Sequence, residues 1–170
     1  MTSDSGDPER LDGLVEIADY DPRWPGRFAA EAARITAALG IEHVGSTAVP
    51  GLAAKPVIDI LLVVADAARE GRYVSSLEAV GYRLYRREPE WFEHRLFKRA
   101  PPEVNLHVFS LGCPEIGRML LFRDRLREDA KDRALYEAAK RRLARRRWRC
   151  VQDYAEAKSG VVGAILRRTP

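Results

Sequence analysis

At 170 residues, 46% hydrophobic and 32% charged, the chain has the size and balance of one domain that buries its own core, which excludes disordered and disulfide-stapled classes. Its longest nearly apolar run, 57–68, contains Asp59 and Asp66 and is too short to span a bilayer, and the acidic N-terminus lacks the apolar stretch of a secretory signal, so cytoplasmic residence is expected. Cys113 and Cys150 fit no metal-ligand or disulfide pattern and are read as reduced thiols.

In chain order, residues 1–13 are expected to be a disordered lead and 14–170 a single domain. An extended entry at 20–25 precedes a helix over 26–39, whose Phe28, Ala32, Ile35 and Leu39 recur at helical spacing. Gly40 is expected to stop it. Strands follow at 41–44 and 57–64, then a helix over 67–80 ending at Gly81, and strands at 82–86, 92–98 and 104–109. The two prolines in 99–103 mark a hairpin loop. After Pro114 the pattern is helical throughout, over 114–128, 130–147 and 150–167. Leu120, Leu121, Leu126, Leu135, Leu143, Val151, Tyr154, Val161, Val162 and Ile165 are its core candidates. The class is α+β: a mixed sheet with an N-terminal helix and a C-terminal three-helix segment packed on it.

Asp59 stands inside the apolar run Val57 to Val64. An ionised carboxylate there costs several kcal/mol unless it meets a cation or faces a cleft. The turn Gly45-Ser46-Thr47 closes the preceding strand, where backbone N–H groups and a small hydroxyl can cradle a phosphate. Pairing of the two strands brings this turn and Asp59 to one edge of the sheet. His43, just before the turn, reads as a positioning residue. Alternation over 104–109 places Asn105, His107 and Phe109 on one face, with His107 open to the roles of ligand, proton carrier or phosphate donor. Arg95 and Lys98 either hold a triphosphate or neutralise Asp59; Lys55 adds a third cation, and His94 is expected on the surface.

Charge is polarised along the chain, with seven acids against Arg10 in residues 1–22 and thirteen Lys and Arg against five acids in 118–149. The densest stretch, 140–149, lacks interleaved aromatics, so it reads as a solvated helix face rather than a nucleic-acid contact.

The residues 43–59, Arg95-Leu96-Phe97-Lys98, Leu106-His107-Val108-Phe109, Leu121-Phe122-Arg123-Asp124 and Tyr154-Ala155-Glu156-Ala157-Lys158 together resemble the GrpB-like family over nearly the whole chain. The resemblance implies a nucleotidyltransferase-like fold similar to the DNA polymerase β superfamily, in which a Gly-Ser turn holds nucleotide phosphates and strand carboxylates hold divalent metal. It also implies a partner in coenzyme A biosynthesis, since some members resemble a domain fused to dephospho-coenzyme A kinase. Catalytic nucleotidyltransferases carry a second acid two residues after the first and a third on a later strand. Here Leu61 and Asn105 or His107 stand instead, and the family's His-x-His pair is half present. Asp59 with His107 suits Mn²⁺ or Zn²⁺ better than Mg²⁺. Two readings follow. One is nucleotidyl transfer to an acceptor, with Gly45, Ser46 and Thr47 on the phosphates, Asp59 and His107 on Mg²⁺ or Mn²⁺, and Lys55, Arg95 and Lys98 neutralising charge. The other is a non-catalytic accessory that binds a nucleotide or coenzyme A precursor.

Overall fold

The computed structural model describes residues 10–36 and 38–168. Residues 1–9 of the expected lead lie outside them, but its last four, Arg10–Gly13, form strand β1. The central sheet has five strands: β2 (Gly40–Val44), β3 (Ile58–Val64), β4 (Arg83–Glu88), β5 (His94–Arg99) and β6 (Val104–Ser110). They lie in the order β2-β3-β6-β5-β4, with β3 and β6 parallel and every other pair antiparallel. The mixed sheet and the α+β class are as expected.

The first helix, α1 (Trp24–Ala32), begins two residues early, because Pro25 supplies a preset first turn, and ends seven residues short. Gly40 opens β2 rather than ending a helix: the Leu39 N–H already bonds the Val63 carbonyl at 2.8 Å, so the chain has joined the sheet. Leu39 consequently points outward at 63% exposure. Only α2 (Val74–Ala79) survives of the expected 67–80 helix. Before it, Asp66 caps a turn at Ala68 and the Tyr73 hydroxyl donates to the Ala67 carbonyl, so side chains take over the backbone bonding there.

The C-terminal half contains α3 (Pro114–Glu128), α4 (Ala130–Ala144), α5 (Val151–Ala157) and α6 (Ser159–Leu166). A short strand, β7 (Trp148–Cys150), interrupts it and pairs antiparallel with β1, correcting the expectation of three unbroken helices. Leu126, Leu143, Tyr154 and Ile165 are buried, whereas Leu121 and Leu135 are 45% and 40% exposed and leave the expected core. Among the described residues no helix is long and apolar enough to cross a membrane.

The two faces of the sheet differ. Ile58, Ile60, Leu62, Phe97, Leu106 and Val108 form the main core with Trp24, Ile35 and Leu77 from the α1 and α2 side. On the opposite face Leu61, Val63 and Phe109 are covered by α3 through Ile116, Met119 and Leu120. That cover stops short of Asp59, Asn105 and His107, so this end of the face opens into a cavity of about 630 Å³, a ligand-sized volume.

Candidate functional site

Register builds the site. Val44 lies opposite Asp59, Asp59 opposite Asn105, and Asn105 opposite Lys98, so β2, β3, β6 and β5 place these side chains in one row. Gly45 follows with φ +70°, and a Cβ there would fall 2.4 Å from Asp59 Oδ2. Only glycine permits that backbone and that approach. Asn105 Nδ2 donates to Asp59 Oδ1 at 3.0 Å, and His107 Nε2 stands 3.7 Å from the same oxygen. Burial pushes the Asp59 carboxyl up, but His107, Asn105 and the Lys158 charge together outweigh it and hold it below the usual carboxylate range.

Thr47 and His43 fix the turn. The Thr47 hydroxyl donates to the Val57 carbonyl at 3.2 Å and meets His43 Nε2 at 3.0 Å. Its single proton is thereby used, so His43 must donate from Nε2 and is the neutral Nε2–H tautomer. Burial, opposed by Asp59 and reinforced by Arg127 and Arg123, pushes His43 down to about 4, and its ring stacks on Phe28 at 4.8 Å. His43 is thus a positioning residue, as expected, while the Thr47 hydroxyl is committed to the turn and not to a phosphate.

Two lysines that the sequence reading left out enter the site from the C-terminal helices. Lys140 on α4 is 2% exposed and donates to Ser46 Oγ at 3.0 Å and to the Ala53 carbonyl. Its ammonium sits 4.9 Å from the Tyr136 ring. Burial, then the Lys158 charge, push Lys140 down to about 7. Lys158, between α5 and α6, lies over Tyr154 at 4.5 Å, and burial likewise lowers it against the pull of Asp59. Lys55 and Lys98 also line the cavity, Lys98 over the Tyr85 ring at 4.1 Å.

Arg95 does not belong to the site. His94, Leu96 and Lys98 face the cavity, so strand alternation turns Arg95 to the other side of β5, where Glu70 at 2.6 Å and Glu93 at 3.2 Å engage its guanidinium. His94 is not on the surface: it is 2% exposed and bonded to Glu88 and His107. Among the described residues no group of three His, Cys, Asp or Glu side chains converges as metal ligands. Beside Asp59 the row continues with an amide and a lysine where further carboxylates would stand. This donor set does not fit a resident pair of Mg²⁺ or Mn²⁺ ions, which need several anionic oxygens.

Residues 14–168 match the family described as GrpB protein. The chain belongs to the GrpB family. It is 57% identical to a UPF0157 protein of Halalkalibacterium halodurans over 91% of this chain and 82% of that protein. A protein of Mycolicibacterium paratuberculosis named dephospho-CoA kinase is 31% identical over 85% of this chain and 43% of its own length. Among solved structures, the conserved protein GrpB from Enterococcus faecalis matches with a TM-score of 0.70 at 27% identity, covering 89% of this chain and 99% of that one. The Cid1 poly(U) polymerase matches with a TM-score of 0.52 at 14% identity, over 75% of this chain and 44% of that enzyme. This GrpB-family chain therefore shares its fold with the GrpB structure and with part of the Cid1 poly(U) polymerase, and its cavity lies where β2 hands over to the Gly45-Ser46 turn beside Asp59.

Proposed function

We propose that the cavity binds a nucleotide or a related phosphorylated small molecule, with its phosphates on the Gly45-Ser46 turn between Lys55, Lys98, Lys140 and Lys158. One observation carries this reading: four of the chain's five lysines line this single cavity, whereas among the arginines of the described residues Arg86 alone does so. Five cations face two carboxylates, Asp59 and Glu88, across the cavity. Lysine is a compact, strongly hydrated point charge suited to phosphate oxygens, where arginine suits planar carboxylate pairing. A buried ammonium held by a hydroxyl, a carbonyl and an aromatic ring keeps its positive field for an incoming anion.

The reaction that suits this constellation is transfer of a nucleotidyl group to an acceptor, with ammonium groups meeting the phosphate charge. A second reading, retention without turnover as an accessory of coenzyme A synthesis, draws on the missing carboxylates and on the dephospho-CoA kinase match. Both are readings for a protein of the cytoplasm.

Thermal melting with each of the four nucleoside triphosphates, coenzyme A and dephospho-coenzyme A tests the binding. Stabilisation should grow with ligand as RT ln(1 + [L]/Kd) and persist in EDTA. No shift at millimolar levels of any of them would sink the reading. Pyrophosphate release in the same mixtures separates turnover from retention.

A further inference from the structure

Four side chains from four strands form a continuous line across the cavity floor. Glu88 Oε2 on β4 lies 2.7 Å from His94 Nδ1 on β5, His94 Nε2 lies 3.1 Å from His107 Nδ1 on β6, and His107 Nε2 lies 3.7 Å from Asp59 Oδ1 on β3. Hydrogen-bond logic fixes where the protons sit. A carboxylate only accepts, so His94 donates from Nδ1 to Glu88. A neutral His94 then carries a lone pair on Nε2, which His107 must fill from its own Nδ1–H. What remains at a neutral His107 is Nε2, which faces the cavity and Asp59 Oδ1 at 3.7 Å and is the one ring nitrogen of the pair left to exchange a proton with a bound molecule.

The alternative, a doubly protonated His94, is opposed by its surroundings. The ring is 2% exposed, and burial with the charges of His107, Arg95 and Arg86 pushes it down to about 3. Trp91 at 4.8 Å and Phe109 at 4.7 Å pack against the ring, and both of its nitrogens already have partners in Glu88 and His107.

We propose that Glu88 and His94 are positioning residues that hold His107 in its Nδ1–H tautomer, so that His107 Nε2 serves the cavity as its proton acceptor. This role rests on the nucleotidyl-transfer reading; the tautomer itself does not. As an acceptor hydroxyl attacks, its oxygen forms the new P–O bond, the leaving phosphate departs with the electron pair of the old one, and the hydroxyl proton ends on Nε2. Asp59, held toward the imidazole by Asn105, stabilises the imidazolium that results. The Glu-His-His line does for His107 what a buried carboxylate does for a catalytic histidine elsewhere: it selects the tautomer.

The chain has only three histidines, so long-range ¹H–¹⁵N correlation spectra of the labelled full chain resolve each ring. At neutral pH His94 and His107 should show the Nδ1–H pattern and His43 the Nε2–H pattern. Glu88→Ala should move His107 toward the Nε2–H form, and Glu88→Gln, which keeps an acceptor oxygen, should restore it. Any pyrophosphate release should fall at least tenfold in Glu88→Ala and recover in Glu88→Gln, while nucleotide-dependent melting shifts persist in both. His107 as Nε2–H in the unaltered protein overturns the proposal whether or not either variant folds. Tautomers as expected with no melting shift from any nucleotide would instead overturn the phosphate reading, and with it the base role, while leaving the positioning line in place.

Discussion

Cations are held in two different ways, away from the cavity and around it. Away from the cavity they are arginines locked to carboxylates: Arg95 to Glu70 and Glu93, Arg99 to Glu31 at 2.8 Å, Arg123 to Glu42 and Asp124 at 2.7 Å, and Arg125 to Asp132 at 2.7 Å. Around the cavity they are lysines resting on a hydroxyl, a carbonyl or an aromatic ring. Charge away from the cavity is neutralised within the fold. Around the cavity Lys140 is buried against Ser46 and the Ala53 carbonyl with no carboxylate ion pair among the described residues, and folding alone gives no reason to bury that charge. A stability role is therefore expected of the arginine set and a binding role of the lysine set.

The largest effect should come from breaking the neutralised set. Glu31 is 3% exposed and is shared by Arg99, by Arg34 at 3.7 Å and by the Tyr82 hydroxyl at 2.9 Å. Glu31→Gln should cost about 3 kcal/mol in urea unfolding, because it leaves Arg99 without its charge partner, and nucleotide-induced stabilisation of the folded fraction should survive.

The opposite sign is expected in the cavity. Lys140 is held below its unfolded value, so its buried charge costs stability in full below pH 7, and the cost disappears as pH approaches the ordinary lysine range. Lys140→Met should raise stability by about 2 kcal/mol at pH 6, after allowing for its lost hydrogen bonds, and by little at pH 10. It should also abolish the melting shift with ATP. A variant that is less stable at pH 6 would place Lys140 with the structural arginines.

Lys140 also sets a pH dependence for binding. Above about pH 7 the free protein has lost this proton, so an anion that requires the ammonium must bring one back. Affinity should fall by up to about tenfold per pH unit above 7, and calorimetry in buffers of different ionisation enthalpy should register proton uptake. Affinity flat from pH 6 to 9 would remove Lys140 from the phosphate contacts. The smallest effect is expected at the cavity rim: Lys55 is exposed, so Lys55→Met should change stability by less than about 0.5 kcal/mol and affinity by a few fold.

Much of the site was legible because it is local in sequence. The thirteen-residue spacing from Ser46 to Asp59 spans one turn and one connection between paired strands, and a charge inside an apolar strand announces a cleft. Arg95 was misplaced against a rule already in hand: period two sends residues 95 and 98 to opposite faces, so both could not serve one site. Lys140 and Lys158 were hidden inside a basic run and a helical block, yet they carried a signal in composition. In a chain that otherwise uses arginine, each lysine is a departure from habit.

By itself the sequence determined the α+β class, the order of the sheet-forming segments, the bounds of α3 from Pro114, and the Gly45, Ser46 and Asp59 edge, since each follows from periodicity, backbone stereochemistry or the cost of burying charge within a short window. Only the tertiary structure decided the β1–β7 pairing, which joins segments more than 130 residues apart with three- and four-residue strands too short to show a period. It alone brought Lys140 to Ser46 across 94 residues and aligned Glu88, His94, His107 and Asp59 across four strands. Such contacts depend on sheet register and on where helices stop covering a face, which are properties of the packed whole and cannot be read from any short window of sequence.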